Sequence, residues 1–274
     1  MADTTELLDV PDDIPDEMRQ QILGGSPTTS FPVMRDPEAG TTVLPRGIRD
    51  DAGAFHTDVV FRELNGRDEE YLSKFTDESQ LFDAVIERGV DRVGSLSISE
   101  MGQSEASARL NSLLVGERNI LFLGVLRSSF GNERKIDWLC IGCGAENETT
   151  VMLDDDLKVN IPEGLGDSHF YVDSKDRKIQ WRGLTGSDAT LVKPTMNAGM
   201  QSSTILAQVI TAVDDEMVLS PERFVADMLM RDRRKLMELV SENQPIIDTD
   251  VSVSCPSCGR EQTKPLSWGE LFLV

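Results

Sequence analysis

Two Cys-x-x-Cys pairs constrain the fold of this chain more than any other feature. The first runs from Cys140 to Cys143 and the second from Cys255 to Cys258, and a glycine follows each pair. Such a pair places two sulfurs on one side of a tight turn, where the glycine accommodates a positive φ. Two pairs together predict one structural zinc ion, because four thiolates complete its tetrahedral shell. The predicted ligands are Cys140, Cys143, Cys255 and Cys258.

Two other interpretations of the thiols stay open, a redox dithiol or disulfide pair and a set of unrelated buried thiols. A redox motif favours a strand-to-helix junction, whereas both pairs here follow alternating, strand-like residues, as in zinc ribbons (135–139 and 250–254). Between Cys143 and Cys255 lie 111 residues, far more than the roughly 15–20 of a compact zinc ribbon. A domain-sized segment therefore separates the two pairs.

An internal repeat accounts for this separation. Segments 60–68 and 180–188 both read aromatic-Arg-x-Leu-(Asn/Thr)-Gly-x-Asp and lie 120 positions apart. Segments 113–119 and 228–234 match at 115 positions, which is also the distance between the two cysteine pairs. Three landmarks in one order at nearly constant separation predict a duplicated chain.

Each half then follows one plan. Apolar residues at helical spacing predict helices over 79–89 and 116–130, echoed by 202–213 and 231–240. We expect an α+β fold of two duplicated small strand-helix-helix-strand units, joined by a zinc-ribbon-like four-cysteine site. We call each Cys-x-x-Cys turn a knuckle. The predicted domains are a flexible acidic arm (1–30), a first repeat with the first knuckle (31–155) and a second repeat with the second knuckle and a docked C-terminal strand (156–274).

The turn acids Asp68 and Asp188 recur in both halves, and each is expected to cap the helix that follows it. Arg118 and Arg233 also recur, each beside an acid. Because arginine suits bidentate carboxylate pairing, we expect them to pair with these two turn acids.

Composition and motifs exclude several classes of function. The chain has 48 Asp and Glu against 27 Lys and Arg, a net charge of −21, which argues against a nucleic-acid partner. No apolar run approaches the roughly 18 residues of a membrane span, and the acidic N-terminus is unlike a signal peptide. Nucleotide-binding, hydrolase and metalloprotease motifs are absent from the sequence, and His56 and His169 stand in no metal-ligand spacing. The sequence predicts a cytosolic protein that is not an enzyme.

Segments 41–45, 61–70 and 116–131, followed by the first cysteine pair, resemble the T-even-type baseplate hub assembly chaperones. That family belongs to the tail-assembly proteins of tailed phages and contractile injection systems. Asn65 replaces the usual Thr, Glu117 the usual Asp and Phe130 the usual Tyr of the family pattern. The resemblance covers roughly residues 40–155 and the final knuckle.

The resemblance implies a non-enzymatic role at the baseplate hub or tape-measure end of a phage or phage-like tail. Its implied partners are other tail or baseplate proteins. The role is compatible with an oligomer of this chain within the assembly, and it implies no insertion into a membrane. Its implied locations are the host cytoplasm during assembly and the virion tail or injection-system baseplate. An acidic zinc-ribbon adaptor in another multiprotein complex, such as one in transcription, is the alternative.

Overall fold

The computed structural model describes residues 40–163, 165, 168–193 and 195–272. The predicted acidic arm (1–30) lies outside the described residues. Within them the protein is a mixed α+β structure, as expected. No helix in these ranges has both the length and the apolar character needed to span a bilayer.

The first sheet is antiparallel, with strand order β1-β2-β3-β4. Its strands are β1 (Thr41–Arg49), β2 (Phe55–Phe61), β3 (Val90–Val93) and β4 (Leu96–Ser97). Helices α1 (Gly66–Leu72) and α2 (Glu78–Gly89) connect β2 to β3. A 3-10 turn (Ile98–Glu100), α3 (Gln103–Asn111) and the long helix α4 (Val115–Phe130) follow β4.

The middle of the chain forms a second antiparallel sheet with the order β11-β10-β9-β8. Its strands are β8 (His169–Val172), β9 (Lys178–Trp181), β10 (Ile210–Val213) and β11 (Glu216–Met217). Helices α5 (Gly186–Ala189) and α6 (Ala198–Val209) connect β9 to β10, and α7 (Pro221–Asp227) and α8 (Met230–Glu242) follow β11.

The remaining strands pair two by two. These pairs are β5 (Glu133–Leu139) with β6 (Glu146–Met152), β7 (Val159–Asn160) with β12 (Ile246–Ile247), and β13 (Asp250–Ser254) with β14 (Glu261–Pro265). A last short helix, α9 (Trp268–Phe272), ends the described chain.

Buried side chains form two hydrophobic clusters. The first contains residues from 44 to 157 and also residues from 247 to 271, so the last hairpin and α9 pack with the first sheet and its helices. The second contains residues between 179 and 240. The chain therefore returns to its first core after building the second.

Long helix α4 is the centre of the first cluster. Leu121, Val125 and Leu126 are fully buried. Gly124 lets the helix approach strand β2, because a Cβ there would lie 2.1 Å from Cζ of Phe61. Helix α4 thus rests on the sheet at a position that only glycine permits.

Two predicted elements differ from the structure. The helix predicted over 202–213 ends at Val209, because the β-branched residues that follow join the second sheet, where Ile210 pairs with Trp181. The predicted C-terminal strand is helix α9. Ser267 and Glu270 form a capping box there, each side chain accepting the other residue's backbone N–H.

Helix α9 packs against helices of the first cluster. The Trp268 ring lies 5.9 Å from that of Phe82 and 5.5 Å from that of Phe122, both edge-on. Leu271 is fully buried in the same cluster.

Candidate metal centre

Each cysteine pair lies at the tip of a two-stranded hairpin. Strands β5 and β6 are paired as far as Leu139 and Glu146, and Cys140 comes next. Strands β13 and β14 are paired as far as Ser254 and Glu261, and Cys255 comes next. Both hairpins therefore deliver the first cysteine of a pair at the point where strand pairing stops.

The two turns close with the same hydrogen bonds. In the first, Cys140 N donates to the carbonyl of Ala145 and Gly144 N donates to that of Cys140, both at 2.9 Å. In the second, Cys255 N donates to the carbonyl of Arg260 at 2.9 Å and Gly259 N to that of Cys255 at 2.8 Å. Both glycines have φ of 72°, the left-handed conformation expected after each pair.

The folded chain brings all four sulfurs together. The Sγ atoms of Cys140, Cys143, Cys255 and Cys258 all lie within 4.8 Å of one another. Across the two turns, Sγ of Cys140 is 3.6 Å from that of Cys258, and Sγ of Cys143 is 3.7 Å from that of Cys255. Sulfurs about 2.3 Å from a tetrahedral zinc ion would stand about 3.8 Å apart, so this cluster has the dimensions to hold a metal ion.

The surroundings of the thiols favour a cation. The N–H groups of its own turn lower the pKa of Cys140. Burial raises the pKa of Cys255, but its turn N–H groups and the neighbouring thiols outweigh burial and lower it to about 6. Despite the Arg260 N–H, the neighbouring thiols raise the pKa of Cys258 to about 12. Two adjacent thiolates repel each other, and a divalent cation between them would remove that conflict.

A residue that the sequence did not single out joins the two turns. The Gln262 side chain accepts a hydrogen bond from Ile141 N at 2.9 Å and donates one to the carbonyl of Leu139 at 3.1 Å. A side-chain amide on β14 thus holds the first knuckle directly. Such outer contacts orient the ligands of a metal site, and local sequence patterns carry no signal for them.

The turn acids are buried and take part in capping the helices that follow, but from the third helical position and not from the N-cap itself. Asn65 is the N-cap of α1, and Asp68 is its third residue, completing a capping box by accepting the Asn65 N–H. Thr185 and Asp188 repeat this arrangement at α5. In both turns the acid lies in the first turn of the helix and accepts the backbone N–H of the N-cap residue.

The predicted arginine partners of these acids are wrong. Asp68 accepts two hydrogen bonds from Arg62, at 2.8 and 2.9 Å, and one from Arg88 Nε at 2.7 Å. Asp188 accepts two from Arg182, at 2.6 and 2.8 Å. Arg62 and Arg182 lie in the repeated motif itself, six residues before the acid. Proximity in the sequence would have identified them.

Arg118 and Arg233 instead bind the second helix of their own half. Arg118 pairs with Asp83 on α2, and Arg233 donates to Ser203 on α6. The acids beside them hold a neighbouring loop or strand. Glu117 accepts the N–H groups of Arg46 and Gly47 at 2.6 Å, and burial outweighs these bonds to raise the pKa of Glu117.

The two histidines belong to other contacts. His56 Nε2 lies 2.9 Å from a carboxylate oxygen of Asp50. His169, on strand β8, stacks its ring on that of Trp181, with the ring centroids 4.5 Å apart. Among the described residues, the four cysteines are the one group of three or more candidate ligands in metal-binding proximity.

The fold and the four-thiol cluster define an α+β protein with a candidate structural metal centre. The family model described as T4 bacteriophage base plate protein matches residues 58–272 of this chain. The chain therefore belongs to the T4 bacteriophage base plate protein family, which confirms the resemblance to a T4-type baseplate family. No curated protein and no solved structure matches it.

Proposed function

We propose that this chain is a non-enzymatic assembly protein of a contractile phage tail, acting at the baseplate hub or tape-measure end. The family match over residues 58–272 carries this proposal and favours it over a zinc-ribbon adaptor in transcription. Its partners are other tail or baseplate proteins, which it meets in the host cytoplasm during assembly. A four-thiolate centre leaves no open position on the metal for catalysis, which agrees with a binding role.

The proposed cofactor is one structural Zn²⁺ held by Cys140, Cys143, Cys255 and Cys258 in a zinc-ribbon-like site. The sulfur spacing and the paired hairpins support this choice. The ion would join the hairpin that follows the first sheet to the hairpin that follows the second. Because metal binding is coupled to folding, zinc would secure the return of the chain to its first core.

The proposed architecture is a duplication, with residues 31–155 and 156–274 as the two repeats and 1–30 as an acidic arm. Three correspondences support it. The two sheets share one strand order, Arg62 and Arg182 bind the matching turn acids, and Asp83 and Ser203 receive the matching arginines at the same offset of 120. Each repeat then contains one cysteine hairpin near its end, and in the second repeat helix α9 follows it.

Metal analysis of the purified full chain tests the site. We expect about one zinc ion per chain, lost in Cys255→Ser and retained in Ser257→Ala, which changes the same turn without removing a ligand. Two zinc ions per chain, none, or equal content in both variants would contradict the shared site.

Co-expression with the hub and tape-measure proteins of the same phage tests the role. We expect the wild type and Ser257→Ala to co-purify with one of them, and Cys255→Ser to lose that complex. Deleting the gene should give tails that lack a complete hub. Normal, infectious tails from the deletion would refute the assembly role.

A further inference from the structure

One contact inside this chain joins the start of helix α4 to the turn between β9 and α5, in the second half of the chain. Val115 N donates to the carbonyl of Leu184, and Gly186 N donates to that of Leu113, both at 3.0 Å. Leu114 and Thr185 form the β-bridge between these bonds. The α4 start, defined here as residues 113–118, thus adds a short strand to the second-half turn.

The receiving surface of the second half consists of residues 183–186 and 244–245, and it is fully closed by the α4 start. A Cβ on Gly183 would lie 2.5 Å from Cδ2 of Leu114, and one on Gly186 would lie 2.7 Å from Cδ of Arg118. A Cβ on Gly116 would lie 1.8 Å from the carbonyl oxygen of Pro245. No space is left in this contact.

The repeat supplies a second copy of each partner surface, and the two copies do not meet within the described chain. The counterpart of the α4 start is the α8 start, residues 228–233, where Met230 is 70% exposed and Leu229 is 41% exposed. The corresponding leucine in the α4 start, Leu114, is only 1% exposed. The α8 start is therefore an uncovered apolar surface at a position that is covered in the first half.

The counterpart of the receiving surface is residues 63–66 and 129–130, and it is open. Leu64, Gly66 and Phe130 line a groove of about 1430 Å³. A Cβ on Gly66 would meet nothing within 4 Å, whereas its counterpart Gly186 is filled by Arg118. Within the part of the chain that the structure describes, no segment fills this groove as the α4 start fills the receiving surface.

Charge identifies the kind of occupant. Four acids, Glu69, Glu78, Asp137 and Glu270, line the groove with one cation, Lys135, whose charge is paired with Glu148 outside the lining. The α8 start leads into the basic run Arg231-Asp232-Arg233-Arg234-Lys235, in which Asp232 is buried and bound by Tyr171 and Ser174. A basic surface faces solvent beside Met230, and it is complementary to the acidic rim.

We propose that the α8 start of one chain docks in the groove of a second copy of this chain. The contact repeats between chains the one already made within the chain. Arg231 occupies the position that corresponds to Gly116, where the glycine allows close approach. The two surfaces must therefore stand further apart in the contact between chains, by the size of one side chain, and the open groove accommodates this. Residues 1–30 are a poor occupant for the same groove, because their seven acids and one base would be repelled by its acidic lining.

Such a contact joins two different surfaces, so it is heterologous, and a docked pair of chains still has one free α8 start and one free groove. Heterologous contacts build closed rings or open filaments. The proposal rests on the duplication proposed above and is independent of the metal site and of the tail partner.

Sedimentation velocity of the full purified chain tests it. We expect the wild type to associate by about 100 µM, a concentration at which even modest interfaces are populated, and the association to weaken as salt is added. Met230→Asp should remove the docking surface, and Gly66→Trp should fill the groove without strain. Each should weaken self-association at least about tenfold. Met217→Asp is the matched control, because this 78% exposed methionine lies on β11, outside the α8 start.

Mixing the two defective chains gives the decisive result. Met230→Asp retains an intact groove and Gly66→Trp retains an intact α8 start, so an equimolar mixture should form a 1:1 dimer and nothing larger. Should either variant misfold by circular dichroism, Arg234→Glu and Glu69→Arg test the docking through charge: each alone should weaken self-association, and mixing the two should restore it.

Three results would overturn the proposal. They are a monomeric wild type throughout the concentration range, association that Met217→Asp weakens as much as Met230→Asp does, and defective chains that fail to combine. A tail protein that binds the groove of a wild type unable to self-associate would assign the surface to that protein instead.

Discussion

Removing the carboxylate of Asp68 is the sharpest test of how the repeated turn is stabilised. The side chain is fully buried and binds Arg62, Arg88 and the N–H of Asn65. Losing one member of a buried ion pair typically costs about 3–5 kcal/mol. Because the arginine side chains are 31% and 41% exposed, they regain water, so we expect Asp68→Ala to cost about 3 kcal/mol, the lower end of that range.

The pH dependence follows from the pKa of the same carboxyl. Burial by itself raises this pKa, but the hydrogen bond from Arg62 and the other donors lower it from 3.8 to about 2. At 1.36 kcal/mol per pKa unit, this difference is worth about 2 kcal/mol of stability. Because the folded pKa is the lower one, the contribution is complete above about pH 5 and falls to about half at pH 3.

Urea unfolding followed by circular dichroism at pH 7 and pH 3 measures both effects. The cost of Asp68→Ala, taken against wild type at each pH, should shrink by about 1 kcal/mol on acidification. Any effect of protonating the cysteine site is shared by both proteins and cancels in the difference. Glu70→Ala, an exposed acid on the same helix, should change stability by less than about 0.5 kcal/mol. A cost below about 1 kcal/mol at pH 7, or one that does not change with pH, would refute this reasoning.

Two further predictions concern packing in the first core. Gly124→Ala should destabilise the protein by about 1–2 kcal/mol in urea unfolding, since the clash with buried Phe61 outweighs the gain of about 1 kcal/mol in helix propensity; Gly66→Ala, with open space around it, is the control, and a stabilised Gly124→Ala would contradict the packing. Trp268→Ala should cost about 2–3 kcal/mol by removing the ring against Phe82 and Phe122. Limited proteolysis should then cleave the C-terminal segment faster, and an unchanged cleavage rate would show that the ring does not hold it.

Local patterns predicted the elements whose signal lies in consecutive residues. Helices α2, α4 and α8 lie close to their predicted bounds, because apolar spacing and capping act within a few turns. The prediction of a strand at the C-terminus ignored the Ser267–Glu270 capping box, which was visible in the sequence. The helix predicted over 202–213 extended past Val209 because Ile210 also fits an apolar helical stripe, and only its pairing with Trp181 assigns it to a strand.

Partner choice across long separations could not be read from the sequence. Arg118 had a turn acid as a plausible partner, yet Asp83 on the neighbouring helix is the one within reach. The contact of Gln262 with the first knuckle joins residues more than 120 positions apart. Such pairs depend on how whole elements pack, and no local spacing encodes that.

The sequence by itself determined the chemistry available to this protein: four thiols in two turns, an acidic surface, and two copies of one motif. These follow from residue identity and spacing, which do not depend on packing. The tertiary structure decided that the four thiols meet, and that the start of α4 is covered whereas the equivalent start of α8 is exposed. Burial depends on how whole elements pack against one another, so segments with matching sequence patterns need not occupy the same environment.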